Sequence, residues 1–497
     1  MRRPSAPDCA HCGGILTPLA RPAWLAGQPW RGFSHGRVED KWTGEWLAPV
    51  ALADPDTFDV ALGSAQAARA PMRAMPAHRR AEVLRALARG VQDRRDDFVA
   101  VLVAEAGKTS KDAGLEVGRA VDTFQLAGDV AARGGSGPVM DLGTTRRGEG
   151  SWAFIRRVPV GVCALISPFN FPLNLVAHKV GPAIAAGCPF VLKPASTTPG
   201  PALLLGELLA SLDLPEGSWS ILPASREAAE RLVVDPKVAL LSFTGSAEVG
   251  WAMKARAGNK RVLLELGGNA AVVVDDTWDP NDAAERIVAA AFGQAGQSCI
   301  SVQRILVQRR GIGVLRDALI ARIDAMEVRD RLDPQAALAP MIAQREADRV
   351  RMWVSSAVRA GASAHSRDPG AGRIVWPTLL MDVPPTEPLW CEEAFGPVAC
   401  LAPFDTFDEA LSLVNDGRFG LQVGLLSRDL PRAMAAWEHA DVGGVVAGDV
   451  PTWRADDMPY GGVKDSGLGR EGLAVAVEEM TEPRVLVVRP TTQAIKA

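Results

Sequence analysis

Five short stretches in the middle of the chain are nearly unbroken apolar runs: 160–167 (VGVCALIS), 189–193 (PFVLK), 218–222, 238–243 (VALLSF) and 261–266. Runs this short, without polar alternation, predict strands buried on both faces. Between them, 179–186, 202–212, 225–234 and 247–255 predict helices. Strand–helix alternation of this kind predicts a doubly wound α/β fold with a parallel sheet, which takes nucleotides at the carboxyl ends of its strands. A second α/β unit follows, with strands at 272–274 and 304–307 and helices at 282–292 and 315–326, and further elements run to about Val446. Nearer the N-terminus, Val83, Leu84, Leu87, Val91, Phe98 and Leu102 recur at helical spacing, with Arg79, Arg80, Arg94 and Arg95 opposite them, predicting one or two surface helices. Residues 134–150 turn to Gly, Ser and Thr, as a loop or an excursion at a sheet edge would. A Gly-rich loop, Tyr460-Gly461-Gly462-Val463-Lys464-Asp465-Ser466-Gly467, precedes a last alternating strand at 483–488.

Length and composition narrow the function. At 497 residues the chain exceeds what one core covers, so two or three domains are expected. A net charge of −4 offers no basic face for nucleic acid. No apolar run reaches the length of a membrane span. The opening MRRPSAPDCAHCGG has no apolar stretch behind its arginines, unlike a secretory leader, so the cytosol is the expected compartment. Seven scattered cysteines do not form a disulfide framework. Cys163, Cys188, Cys391 and Cys400 sit in apolar surroundings and are expected in the core. Cys9 and Cys12 flank His11 as half of a zinc site, but no second pair completes four ligands, so no metal is expected.

Four segments carry candidate chemistry. In Gly296-Gln297-Ser298-Cys299, a thiol among small and polar residues at a helix–strand junction is a candidate nucleophile, although most lone cysteines are buried filler. In Ser167-Pro168-Phe169-Asn170-Phe171-Pro172, two prolines hold a loop around one amide, a donor suited to developing negative charge. In Leu264-Glu265-Leu266-Gly267-Gly268-Asn269, a carboxylate at the apolar end of a strand should have a raised pKa, which suits a general base. In Phe243-Thr244-Gly245-Ser246, Gly245 lets the backbone turn, and the helix start at Ser246 can hold a phosphate. The last segment is not GxGxxG, so by itself it is a weak dinucleotide signal.

Taken together, over about residues 26–497, PFNFP, VLKPAS, FTGS, LELGG, GQSC, EEAFGPV and PYGGVKDSGLGRE occur in the order found in the aldehyde dehydrogenase superfamily, which the chain resembles. The resemblance implies an α/β fold of two doubly wound parallel-sheet domains and a small bridging β-element that joins subunits into homodimers or homotetramers. It implies a cofactor-binding domain from 26–134, 152–264 and 447–482, a catalytic domain at 265–446, and an oligomerisation element from 135–151 and 483–497, behind an N-terminal extension of 1–25. It implies NAD(P)-dependent oxidation of an aldehyde to an acid. Cys299 would attack the carbon, Asn170 and the Cys299 N–H would hold the oxyanion, and Glu265 would activate the water that hydrolyses the thioester. Lys179 and Glu471 look like the pair that relays the proton. Lys193 and Glu393 would grip ribose hydroxyls, with Phe395 near the nicotinamide ribose and Ser246 at the pyrophosphate; Phe169, Phe243 and Gly245 belong to the same cofactor segments.

Ser196 stands where strictly NAD-using relatives carry a glutamate that repels a 2′-phosphate, so NAD is expected with NADP accepted. The motifs look most like the branch acting on lactaldehyde, glyceraldehyde phosphate and phosphonoacetaldehyde. His178, with Phe171, Arg119 and Arg454, falls in segments that line the substrate tunnel, where a cation favours a small hydroxy- or anionic aldehyde; ordinary ion pairs are the alternative for the arginines. Val446-Ala447-Gly448-Asp449 departs from that branch, which has Asn before the Asp. A CoA-acylating or acyl-phosphate reductase, or a non-catalytic homologue, remains the rival reading.

Overall fold

The computed structural model describes residues 21–32 and 34–489; the Cys9–Cys12 segment lies outside the described residues. Two large sheets organise them. The first has eight strands, ordered Gln28–Trp30, Ala23–Leu25, Trp219–Ile221, Phe190–Lys193, Val162–Ile166, Val238–Thr244, Arg261–Glu265 and Gly467–Leu468. Its five middle strands are parallel, and both margins are antiparallel. The chain enters this parallel set at Val162–Ile166, winds outward to Trp219–Ile221, then returns to Val238–Thr244 on the other side. The strand order therefore reverses between Val162–Ile166 and Val238–Thr244, the crevice where doubly wound sheets bind ligands. Val162, Cys163, Ala164 and Leu165 are wholly buried, as an unbroken apolar strand covered on both faces requires.

The second sheet has seven strands, Ser363–Ser366, Thr378–Met381, Val398–Phe404, Val302–Gln308, Ala270–Val274, Gln422–Leu426 and Gly444–Ala447, all parallel except the first pair. The expected doubly wound α/β architecture is thus present twice. A separate antiparallel sheet joins Ser136–Asp141, Trp152–Pro159 and Thr481–Val488. Trp152, Phe154, Leu486 and Val487 lie exposed on it.

Local differences from the sequence pattern have physical causes. The helix expected at 179–186 begins earlier, as Asn174–Ala186. Its first turn has no side-chain cap of its own. Glu116, from the helix Ser110–Ala132, accepts from the backbone of Leu173 at 2.8 Å and Asn174 at 3.1 Å instead. A cap supplied 57 residues away along the chain leaves no local sequence signal. Of the segment 225–234, regular helix covers only Glu230–Val234, because Ser225 Oγ accepts from Ala228 N and closes a turn first. The arginine-faced stretch forms two helices, Ala77–Asp93 and Arg95–Ala106, that bury the apolar residues expected to face inward.

Candidate active site

Cys299 lies between the helix Pro280–Phe292 and the strand Val302–Gln308. The approach to it is strained: Gln294 and Ala295 have φ of 52° and 55°. Such left-handed non-glycine residues cost about 1–3 kcal/mol each and persist only where surroundings enforce them. Here Lys108 Nζ donates to Gln294 Oε1 at 2.7 Å, and the Gln294 amide donates to the carbonyl of Asn170. Lys108 also pairs with Glu116 at 2.9 Å, neither side chain having any exposure. One buried ion pair therefore anchors both the cysteine turn and the asparagine loop. Asn170 Nδ2 donates in turn to the carbonyl of Gln297 at 3.1 Å. A carbonyl only accepts, so the nitrogen is the atom facing it, and the second N–H is left for another acceptor. A Cβ on Gly268 would lie 2.3 Å from the Cys299 carbonyl oxygen, so the LELGG segment packs directly on the Cys299 backbone.

Glu265 ends the strand Arg261–Glu265, and its buried Oε2 has no hydrogen-bond partner among the described residues. Burial, reinforced by Glu471, pushes its pKa well above the usual carboxylate range against Arg454, Lys179 and Arg470. Glu471 is the opposite case. Burial disfavours its charge, but Lys179 at 3.3 Å and Arg454 at 3.5 Å outweigh it and hold the carboxyl below its ordinary value. Lys179 Nζ also donates to Ser242 Oγ at 2.9 Å. Two neighbouring carboxyls with pKa values driven apart are suited to different proton tasks. Burial pushes the Cys299 thiol up to about 12; a hydrogen bond with Tyr460 opposes it, while Glu393 and Glu265 add to it.

The candidate tunnel residues converge on a carboxylate absent from the sequence candidates, Asp456. Arg119 grips it with Nε at 3.1 Å and a second nitrogen at 2.6 Å, and His178 Nε2 lies 2.9 Å away. Burial, then Arg454, lowers the His178 pKa, so the neutral imidazole donates through Nε2 and its Nδ1 is without a partner among the described residues. Arg454 is buried, 3.8 Å above the Tyr460 ring. The half-buried Phe171 ring lies 4.0 Å from Lys108 Nζ and 5.9 Å from the Arg119 guanidinium. Nearby, a cleft of about 360 Å³ is lined by Gln422, residues 444–449, Trp453 and Met458. Met458 and Cys299 both pack against the cluster of Ile300, Leu421 and Tyr460, so the cleft borders the surroundings of Cys299. Asp456 stands two residues after Arg454, and an acidic neighbour to a buried arginine was the available signal. The ion pair of Lys108 with Glu116 offered none.

The residues expected to hold a dinucleotide fit one. Gly245 is a close approach: a Cβ there would sit 2.4 Å from the Phe243 ring. Ser246 precedes the helix Ala247–Arg256 in extended conformation and makes no side-chain cap, which leaves the first-turn N–H groups for an anion. Lys193 ends the strand Phe190–Lys193 with no carboxylate partner among the described residues; burial, then Arg226, lowers its pKa to about 8. Ser196 donates to the carbonyl of Ala224 at 3.0 Å and carries no charge to repel a phosphate. Glu393, raised to about 7 by burial, accepts from Gly268 N at 3.0 Å. Phe395, at φ 44°, meets Phe169 edge-on at 5.7 Å between centroids. Lys193, Ser196, Gly245 and Ser246 thus follow the carboxyl ends of two parallel strands, while Glu393 and Phe395 approach from the second sheet's unit.

Residues 30–486 match the Aldehyde dehydrogenase family. The 3-sulfolactaldehyde dehydrogenase of Priestia aryabhattai is 39% identical over 91% of this chain and 94% of its own. Among solved structures, aldehyde dehydrogenase 21 from Physcomitrella patens, in complex with the reaction product succinate, is 40% identical with a TM-score of 0.93, covering 96% of this chain and 100% of its own. The NADP-dependent glyceraldehyde-3-phosphate dehydrogenase from Bacillus halodurans, complexed with NADP, is 29% identical with a TM-score of 0.91, covering 95% of this chain and 100% of its own. On the family match, these likenesses and two doubly wound sheets, the chain belongs to the aldehyde dehydrogenase family and is an NAD(P)-dependent enzyme that oxidises an aldehyde to a carboxylic acid.

Proposed function

We propose that Cys299 is the nucleophile, Asn170 with the Cys299 N–H the oxyanion site, Glu265 the general base, and Lys179 with Glu471 the proton relay. The sulfur forms a bond to the aldehyde carbon, and the carbonyl electron pair moves onto oxygen, held by the amide. A nicotinamide cofactor held by Lys193, Ser246, Glu393 and Phe395 would supply the acceptor for the hydride this carbon loses as it becomes a thioester. Asn170 then holds the thioester carbonyl for attack by water. Glu265 takes a proton from that water, sulfur leaves, and the proton passes to the Glu471–Lys179 pair. The observation that supports this reading most is that the Asn170 amide bonds the carbonyl of Gln297, two residues before Cys299, while the unpartnered buried Glu265 carboxyl is near enough to raise the pKa of the thiol. Cys299→Ala should bind cofactor but lose turnover entirely; retained turnover overturns the reading.

The cofactor is NAD with NADP accepted, because no carboxylate at Ser196 repels a 2′-phosphate. Ser196→Glu should lower kcat/KM with NADP by more than about tenfold, roughly 1.4 kcal/mol, and that with NAD by less. The substrate is a small hydroxy- or anionic aldehyde. Support comes from relatives: one named for 3-sulfolactaldehyde, one for glyceraldehyde-3-phosphate, and one solved with its product succinate, while Arg119 and Arg454 are already paired with Asp456 and Glu471. A panel of glycolaldehyde, lactaldehyde, succinic semialdehyde, phosphonoacetaldehyde and benzaldehyde tests it; preference for benzaldehyde sinks it. The eight-stranded sheet belongs to the cofactor-binding domain and the seven-stranded sheet to the catalytic domain. The three-stranded sheet, with its exposed apolar residues, joins subunits of a cytoplasmic homodimer or homotetramer.

A further inference from the structure

Tyr460 is the single tyrosine of the chain, and it is buried against the nucleophile. Its hydroxyl oxygen lies 3.1 Å from Cys299 Sγ, the only hydrogen bond to that sulfur among the described residues. Two contacts hold the residue in place. Its backbone exchanges hydrogen bonds with Glu471, N to O at 2.9 Å and O from N at 2.6 Å. Its ring lies 3.8 Å under the Arg454 guanidinium.

A phenylalanine would fill this space and offer the same ring face to Arg454, so the hydroxyl is the part whose contribution needs explaining. Its partner settles the direction of the bond. The attacking sulfur is a thiolate, which has no proton to give, so the phenol donates. Burial and the adjacent thiol raise the phenol's own pKa well above 10, which keeps that proton in place. The other charged groups facing Cys299 are Glu265 and Glu393, which oppose a thiolate, and Arg454, which favours one but is stacked on the ring and makes no hydrogen bond to the sulfur. Glu471 acts on Glu265, whose pKa it raises.

We propose that the Tyr460 hydroxyl is a catalytic hydrogen-bond donor to Cys299, stabilising the thiolate that burial disfavours and aiming it for attack. The proposal rests on Cys299 being the nucleophile, as argued above. As the carbon–sulfur bond forms, the negative charge passes from sulfur to the aldehyde oxygen and the phenol bond weakens. The O–H stays intact throughout, so Tyr460 transfers no proton.

The test is the pH dependence of Cys299 alkylation by iodoacetamide, read on the Cys299 peptide by mass spectrometry because other cysteines also react. In Tyr460→Phe the midpoint should rise by about one unit, a roughly tenfold slower reaction on the acidic limb. The acidic limb of kcat/KM should move with it while cofactor affinity holds. An unchanged midpoint overturns the proposal. A second probe needs no substitution. Growth on 3-fluorotyrosine replaces only this residue, and its more acidic phenol is a stronger donor, so the midpoint should fall. A shift in opposite directions for the two variants is not expected of a residue that only packs, and a fluorotyrosine midpoint that stays or rises also overturns the proposal. Failure of the nucleophile assignment would show separately, as turnover retained in Cys299→Ala.

Discussion

Replacing Asn170 with alanine should lower kcat by about 10²–10³-fold, roughly 2.7–4 kcal/mol of transition-state stabilisation. The side chain is 5% exposed and sits in a loop fixed from both sides, by its own donation to Gln297 and by the Gln294 amide on its carbonyl. One N–H is spent on Gln297, so a single N–H is available to a developing oxyanion, and the variant removes it. Losing the tether also leaves the Gln297 carbonyl short of a donor, an additional cost of about 1–3 kcal/mol in folding stability. The two losses are separable. The oxyanion exists only after sulfur has attacked, so kcat and kcat/KM should fall together while KM for the aldehyde and cofactor affinity stay put. The assay is steady-state cofactor reduction at saturating aldehyde, corrected for active sites counted by alkylation of Cys299. A loss under tenfold, or a rise in KM at constant kcat, would refute the oxyanion role and leave Asn170 as a loop tether.

Glu265→Gln should give one rapid equivalent of reduced cofactor per site followed by near-arrest, because the thioester forms and water is not activated; rapid-quench kinetics check it. In the unaltered enzyme, thioester hydrolysis should accelerate as pH rises through the elevated Glu265 pKa, since the ionised form is the base. Glu471→Gln removes a charge that raises that pKa, so the rising limb should move to lower pH. Lys108→Met leaves Glu116 without its counter-ion in the core and should cost about 3–5 kcal/mol in urea unfolding, with much of it recovered in Lys108→Met combined with Glu116→Gln.

The layered fold was legible because its strands are short apolar runs separated by helical periods, a pattern that needs only local sequence. Cys299, Asn170 and Glu265 were legible for a different reason: each lies in a short motif whose glycines and prolines shape the turn around it. What escaped notice was chemistry made by long-range contact. Asp456 gathers Arg119, His178 and Asn174 from helices 278 to 337 residues upstream. Lys108 reaches Gln294 across 186 residues. The early start of the Asn174–Ala186 helix depends on the same kind of contact, through Glu116. Periodicity and spacing carry no information about such pairs, because either partner alone resembles an ordinary surface charge.

The charges buried around the sulfur also order the steps of the reaction. Arg119, Arg454 and Lys179 pair with the carboxylates Asp456 and Glu471, and Arg454 is the cation that acts on both Cys299 and Glu265. Glu265 is held toward its neutral form and His178 is neutral. Arg454 favours a negative charge on either Cys299 or Glu265. Two like charges 4 Å apart repel by about 4 kcal/mol at an effective dielectric near 20, so a thiolate and an ionised Glu265 oppose each other. While sulfur or the aldehyde oxygen is negative, Glu265 stays protonated. Hydride loss would cancel the oxyanion's charge and the nicotinamide's positive charge together, so the change for Glu265 is the removal of an adjacent negative charge, which favours its ionisation. The base is thereby made available after the acyl group is in place, and attack and hydrolysis draw on the same charge in turn. If so, the acylation and hydrolysis steps should titrate with different midpoints when resolved by stopped flow, and neutralising Arg454 to methionine should disturb both. A single shared midpoint for the two steps would show that the charges act independently.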